Sequence, residues 1–71
     1  MKKRSVTIAG HRSSITLEDA FWVELQLLAK AQGVSLNHFI TQIDKDRLPE
    51  QNLSSALRVH VLENLKQQVP S

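Results

Sequence analysis

The sequence predicts a mostly α-helical fold led by a short N-terminal β-ribbon and closed by a third helix, assembled as an intertwined homodimer. Three observations predict it. Polar and apolar residues alternate through Arg12–Leu17, as they do in a half-buried strand. Apolar residues then recur at helical spacing in three successive stretches. Finally, 71 residues make a small core, and the chain has no cysteine with which to staple it. A partner chain is the supplement that remains.

The missing cysteines also exclude thiolate metal sites and cysteine nucleophiles. The three histidines, at positions 11, 38 and 60, are too far apart to form a helical ligand pair, so no metal is expected. There is no nucleophile elbow, phosphate loop or His-Glu metal motif, and neither catalysis nor a cofactor is expected. No apolar run approaches the roughly 20 residues that span a bilayer, and no apolar segment follows the basic start as in a secretory signal. A cytoplasmic protein without a membrane partner is expected. Net charge is only +2, but the first twelve residues carry Lys2, Lys3, Arg4 and Arg12 and no acid. That asymmetry suits a chain that meets phosphate; a solubilising tail is the bland alternative.

The elements follow in order as one domain over residues 1–71. Residues 1–4 read as a basic tail and 5–17 as the strand region. Ser5-Val6-Thr7-Ile8 alternates with period two, and Ala9-Gly10-His11 interrupts the pattern. Gly10 suits a positive-φ turn or a bulge, so the first run either folds back on the second or extends it. In the second run Ile15 and Leu17 share one face, and Arg12, Ser14 and Thr16 share the other. A strand of this kind needs a partner for its backbone edges.

Residues 18–32 read as helix A. Glu18 and Asp19 put negative charge in its first turn, Phe21, Leu25, Leu28 and Ala29 form its stripe, and Gly33 stops it. Trp22, Val23 and Leu27 widen the stripe beyond what one surface requires. Residues 35–47 read as helix B, with Ser35 as N-cap, a stripe of Leu36, Phe39, Ile40 and Ile43, and a solvated end at residues 44–47. Residues 52–67 read as helix C, with Asn52 as N-cap and Val69-Pro70-Ser71 fraying beyond it. Arg58 could reach Asp44 or Asp46, and His60 reads as packing or rim.

Pairing the Arg12–Leu17 strand with its copy across a two-fold axis satisfies its edge. It also lets two copies of Leu36, Phe39, Ile40 and Ile43 bury one another, with Ile15 and Leu17 completing the dimer core. Each such side chain contributes roughly 1.5–3 kcal/mol on burial.

Ile15-x-Leu17-Glu18, Ala29-x-x-x-Gly33 and Val34-Ser35-Leu36-Asn37 followed by Phe39-Ile40 resemble the ribbon-helix-helix repressors of the MetJ/Arc type over residues 12–47. Lys3-Arg4-Ser5-Val6-Thr7-Ile8-Ala9-Gly10-His11-Arg12 and Asn52-Leu53-Ser54-Ser55-Ala56-Leu57-Arg58 resemble a bacterial branch of very small members inferred to bind DNA. The resemblance implies a two-chain antiparallel ribbon in the major groove of double-stranded DNA, with outward Arg12, Ser14 and Thr16 reading base edges. It implies a phosphate clamp at Ser35, Leu36 and Asn37, aided by Lys2, Lys3 and Arg4. Two features depart from the pattern. A second strand-like run precedes the ribbon, leaving Arg4–Ile8, with Ser5 and Thr7 outward, as an alternative reading strand. Ser14 and Thr16 are also short, neutral readers. The expectation is a sequence-specific transcriptional regulator of repressor type, dimeric or of higher order on DNA. The alternative is an antitoxin-like or adaptor protein whose main partner is another protein, bound through helix C.

Overall fold

The computed structural model describes residues 2–68, the side chain of Gln68 excepted. Residues 69–71, where fraying was expected, lie outside the described residues. A two-stranded antiparallel ribbon, β1 (Lys2–Ile8) and β2 (His11–Leu17), precedes three helices: α1 (Asp19–Gln32), α2 (Leu36–Asp46) and α3 (Leu53–Gln68). This is the predicted order of ribbon, helix, helix and added helix.

The ribbon lies within one chain. Residues 12–17 were expected to pair with a second copy, but β2 pairs with β1, from Lys2 opposite Leu17 to Ile8 opposite His11. The expected tail is corrected with it, since Lys2, Lys3 and Arg4 open β1. The cause is the Ala9-Gly10 loop. Both residues take positive φ, +50° and +82°, which is what a two-residue hairpin turn needs to match the twist of its strands. The two alternations are then in phase, so Val6 and Ile8 of β1 share the inner face with Ile15 and Leu17 of β2. A slip of one residue would expose all four.

Each helix is delimited by its own sequence. Glu18 is the N-cap of α1, so the helix begins at Asp19, one residue later than expected. At the other end Gly33 is left-handed, donating to the Lys30 carbonyl while Val34 donates to that of Ala29, a pair of bonds that closes the last turn. Ser35 Oγ accepts from the His38 amide at 3.1 Å, and Asn52 Oδ1 from the Ser55 amide at 2.8 Å, so both expected N-caps form. Residues 44–47 are not merely a solvated end. Arg47 donates to Asp44 at 2.8 Å and to the Gln51 carbonyl at 2.7 Å, which fixes the link between α2 and α3.

The hairpin's inner face packs on all three helices. Val6, Ile8, Ile15 and Leu17 are buried with Leu25 and Ala29 of α1, Phe39, Ile40 and Ile43 of α2, and Ala56, Leu57 and Val61 of α3. The residues assigned to a dimer core, Ile15, Leu17, Phe39, Ile40 and Ile43 with Leu36 packed beside them, are therefore covered by their own chain. Val6 and Ile8 of β1 add two apolar residues to that face. Among the described residues His60 Nε2 is buried without a hydrogen-bond partner, and the ring stands edge-on to Phe39 at 5.4 Å between centroids. Arg58 was read as able to reach Asp44 or Asp46; its Nε donates to Glu18 at 2.8 Å and ties α3 to the start of α1. Val23 and Leu27 on α1, and Val59, Leu62 and Leu65 on α3, stay exposed.

Candidate nucleic-acid interface

Because side chains alternate along a strand, burying Val6, Ile8, Ile15 and Leu17 turns the residues between them outward. Lys3, Ser5 and Thr7 of β1 and Arg12, Ser14 and Thr16 of β2 are all exposed on that outer face. Register sets them in three facing pairs: Lys3 with Thr16, Ser5 with Ser14, and Thr7 with Arg12. The two strands considered as alternative readers thus present one surface together. It carries two cations, four hydroxyls and no acid. Among the described residues neither Lys3 nor Arg12 forms an ion pair.

The other basic residues are placed differently. Arg4 lies on the inner side, where its guanidinium donates to Asp19 at 2.9 Å and stacks 4.7 Å from the centre of the Trp22 ring. Lys2 Nζ is 3.9 Å from the same Asp19 carboxylate. Both point toward the start of α1, so of the three N-terminal cations only Lys3 shares a face with Arg12. Trp22 accordingly packs under an arginine of its own chain.

The N-terminus of α2 abuts the hairpin through β1. The Thr7 amide donates to Asn37 Oδ1 at 3.3 Å, which leaves the donor end of that side-chain amide available. The first intrahelical bond of α2 runs from Phe39 to the Ser35 carbonyl, and the His38 amide is taken by Ser35 Oγ. The amides of Leu36 and Asn37 are therefore left for an outside acceptor, at the positive end of the helix dipole. Ser35 serves that site by capping, while the Leu36 side chain packs against the core.

The Thr7–Asn37 bond also defines the ladder. Residues facing each other at a non-hydrogen-bonded site of an antiparallel pair turn both amides away from the partner strand. Thr7 does so, hence Arg12 opposite it does too, and by period two so do Ser14 and Thr16. Among the described residues no group closes on those three amides. A cleft of about 410 Å³ runs beside this edge, lined by Ser13, Ser14, Ile15, Asp44, Arg47 and Leu53 among others. The outer edge of β2 is open where that of β1 is closed at Asn37.

The family model for the ribbon-helix-helix domain matches residues 1–65. The chain belongs to the ribbon-helix-helix family. Domains of this family are in general dimeric DNA-binding modules of regulators and antitoxins, and are typically not enzymes. No curated protein and no solved structure matches this ribbon-helix-helix chain. No helix among the described residues is long and apolar enough to cross a membrane, and no cluster of metal-binding side chains occurs among them.

The sequence places Arg12, Ser14 and Thr16 together on one outer face but offers Ser5 and Thr7 only as their replacements. The missing signal was the turn. An Asn-Gly or Asp-Gly loop would have announced a hairpin, whereas Ala9-Gly10 does so only through Gly10.

Proposed function

We propose that this chain is a sequence-specific DNA-binding transcriptional regulator of repressor type, acting as a homodimer in a bacterial cytoplasm. The observation that carries the reading is the acid-free outer face of the ribbon. Arg12 suits a bidentate pair with guanine O6 and N7, and Ser14 and Thr16 exchange hydrogen bonds with several base edges. The amides of Leu36 and Asn37, with the side chain of Asn37, suit a phosphate beside the groove. Lys3 adds attraction that does not depend on sequence. Lys2 and Arg4 contribute field, but their partner Asp19 offsets much of it.

The open edge of β2 supports the dimer. A second β2 running antiparallel along it would satisfy the amides of Arg12, Ser14 and Thr16, with the axis passing near Ser14. The two central strands then form a ribbon of the width that the major groove admits.

A second reading rests on Val59, Leu62 and Leu65, which α3 leaves exposed. In it the chain is an antitoxin-like or adaptor protein that binds another protein through that helix.

Selection of bound duplexes from a random pool at two salt concentrations tests the first reading. DNA binding gives an enriched sequence and a log–log salt slope of about −0.9 for each phosphate neutralised. No enrichment together with a flat salt response overturns it.

A further inference from the structure

Apart from the charge of Lys3, strand β1 has no role in the two-chain ribbon just proposed, yet its outer face is as exposed as that of β2. We propose that β1 is a phosphate-contacting strand, on which Lys3, Ser5 and Thr7 continue the α2 N-terminus into one anion-binding strip along the sugar–phosphate backbone. The inference rests on the DNA-binding dimer and extends it to residues outside the base-reading pair.

Geometry assigns the role. With β2 paired to its copy, the sheet runs β1, β2, β2 of the second copy, β1 of the second copy. Strands lie about 4.8 Å apart, so each β1 stands one and a half spacings, roughly 7 Å, from the two-fold axis. The major groove is about 12 Å wide, which puts its walls roughly 6 Å from the same axis. The central strands fall inside the groove, and the outer strands fall over the walls, where the phosphates run. A four-stranded sheet is too broad to enter the groove whole. Its edges have to rest on the backbone.

The chemistry on β1 fits that position. Lys3 supplies an ammonium, which holds a phosphate without needing planar geometry. Ser5 and Thr7 supply hydroxyl donors suited to phosphate oxygens. Thr7 is joined through its amide to Asn37 at 3.3 Å, so the outer strand is contiguous with the unpaired amides that open α2. By contrast Arg12, the side chain best suited to a base edge, lies on the strand nearer the axis.

The test uses the full chain, with Lys3→Gln in one variant and Ser5→Ala with Thr7→Val in another. Circular dichroism melting establishes that both fold, as exposed outer-face positions should allow. Each is titrated with the best selected duplex and a scrambled duplex over a series of salt concentrations. Lys3→Gln should reduce the magnitude of the salt slope by about 2, one phosphate for each copy, and leave the ratio of affinities for the two duplexes unchanged. The double variant should weaken both duplexes by about tenfold, again at constant ratio. A changed ratio would mean that β1 reads bases, and wild-type binding by both variants would mean that it touches no DNA; either overturns the inference while the DNA reading stands. A wild-type chain that binds neither duplex overturns both.

Discussion

The guanidinium of Arg4 lies 4.7 Å from the centre of the Trp22 ring, so the first strand is pinned to the first helix by a cation over an aromatic face. Asp19 completes the arrangement at 2.9 Å. The Arg4–Asp19 pair is partly exposed, and such pairs contribute about 0–1 kcal/mol. The stacked guanidinium adds roughly 0.5–2 kcal/mol. Arg4→Ala should therefore cost about 1–2 kcal/mol in urea unfolding. Arg4→Lys should recover less than half of it, because an ammonium lacks the planar face that stacks. Full recovery by lysine would reduce the contact to simple charge pairing.

Ala9 takes φ +50° in the hairpin loop, a left-handed conformation that costs a residue with a Cβ about 1–2 kcal/mol. Asparagine tolerates it better and is favoured in such turns. Ala9→Asn should raise stability by about 0.5–1 kcal/mol, read as a higher urea midpoint at unchanged slope. A lower midpoint would mean that β1 and β2 are not joined by this turn.

That loop marks where the sequence stopped being readable. The alternation in Ser5–Ile8 and Ser13–Leu17 is local, as are the stops and caps at Gly33, Ser35 and Asn52, and all of these were legible. The stripe of Phe39, Ile40 and Ile43 announced burial equally well. It carried no mark of which surface would cover it, because an apolar face suits its own chain and a twin alike. The hairpin that decides the matter depends on a backbone conformation of Ala9 that its side chain does not advertise. Arg4 and Arg58 were hard to read for a related reason. Their partners are chosen by tertiary geometry, and long flexible side chains leave no periodic trace. At the interface the outer residues of each strand were legible one strand at a time, but their union on one face was not.

Glu18 accepts a hydrogen bond from Arg58 at 2.8 Å, and chiefly for that reason, helped by its own backbone amide, its carboxyl titrates below the ordinary glutamate range. A carboxyl whose pKa is lowered by folding contributes stability that is present above its unfolded value and lost as pH falls through the lowered one. The window therefore opens below about pH 4.3, the unfolded value. Urea midpoints of the wild type should fall more steeply there than those of Glu18→Gln, whose amide does not titrate. Parallel curves would show that the link between α3 and α1 is independent of this charge.

Arg12 separates base reading from simple attraction. If it pairs with a guanine, Arg12→Ala should lower preference for the selected duplex over a scrambled one by about 1–3 kcal/mol. Competition titrations at fixed salt measure that ratio. An equal loss on both duplexes would reassign Arg12 to phosphate and leave Ser14 and Thr16 as the base readers.

Phe39 distinguishes a core closed within the chain from one shared between chains. Its ring is 2 % exposed, and the residues around it belong to the same chain. Replacing a buried phenylalanine with alanine costs about 3–5 kcal/mol, a large part of what holds a domain of this size together. Phe39→Ala should therefore lose helical circular dichroism and unfold at lower temperature, without passing through a folded monomer. Ser14→Pro acts at the other place. Its amide points away from β1, so proline spares the hairpin ladder while removing a donor from the open edge. That variant should keep its helices and its thermal transition but sediment as a monomer at concentrations where the wild type is dimeric. A folded monomer from Phe39→Ala, or a dimer retained by Ser14→Pro, would move the contact between copies from the ribbon edge to the helices.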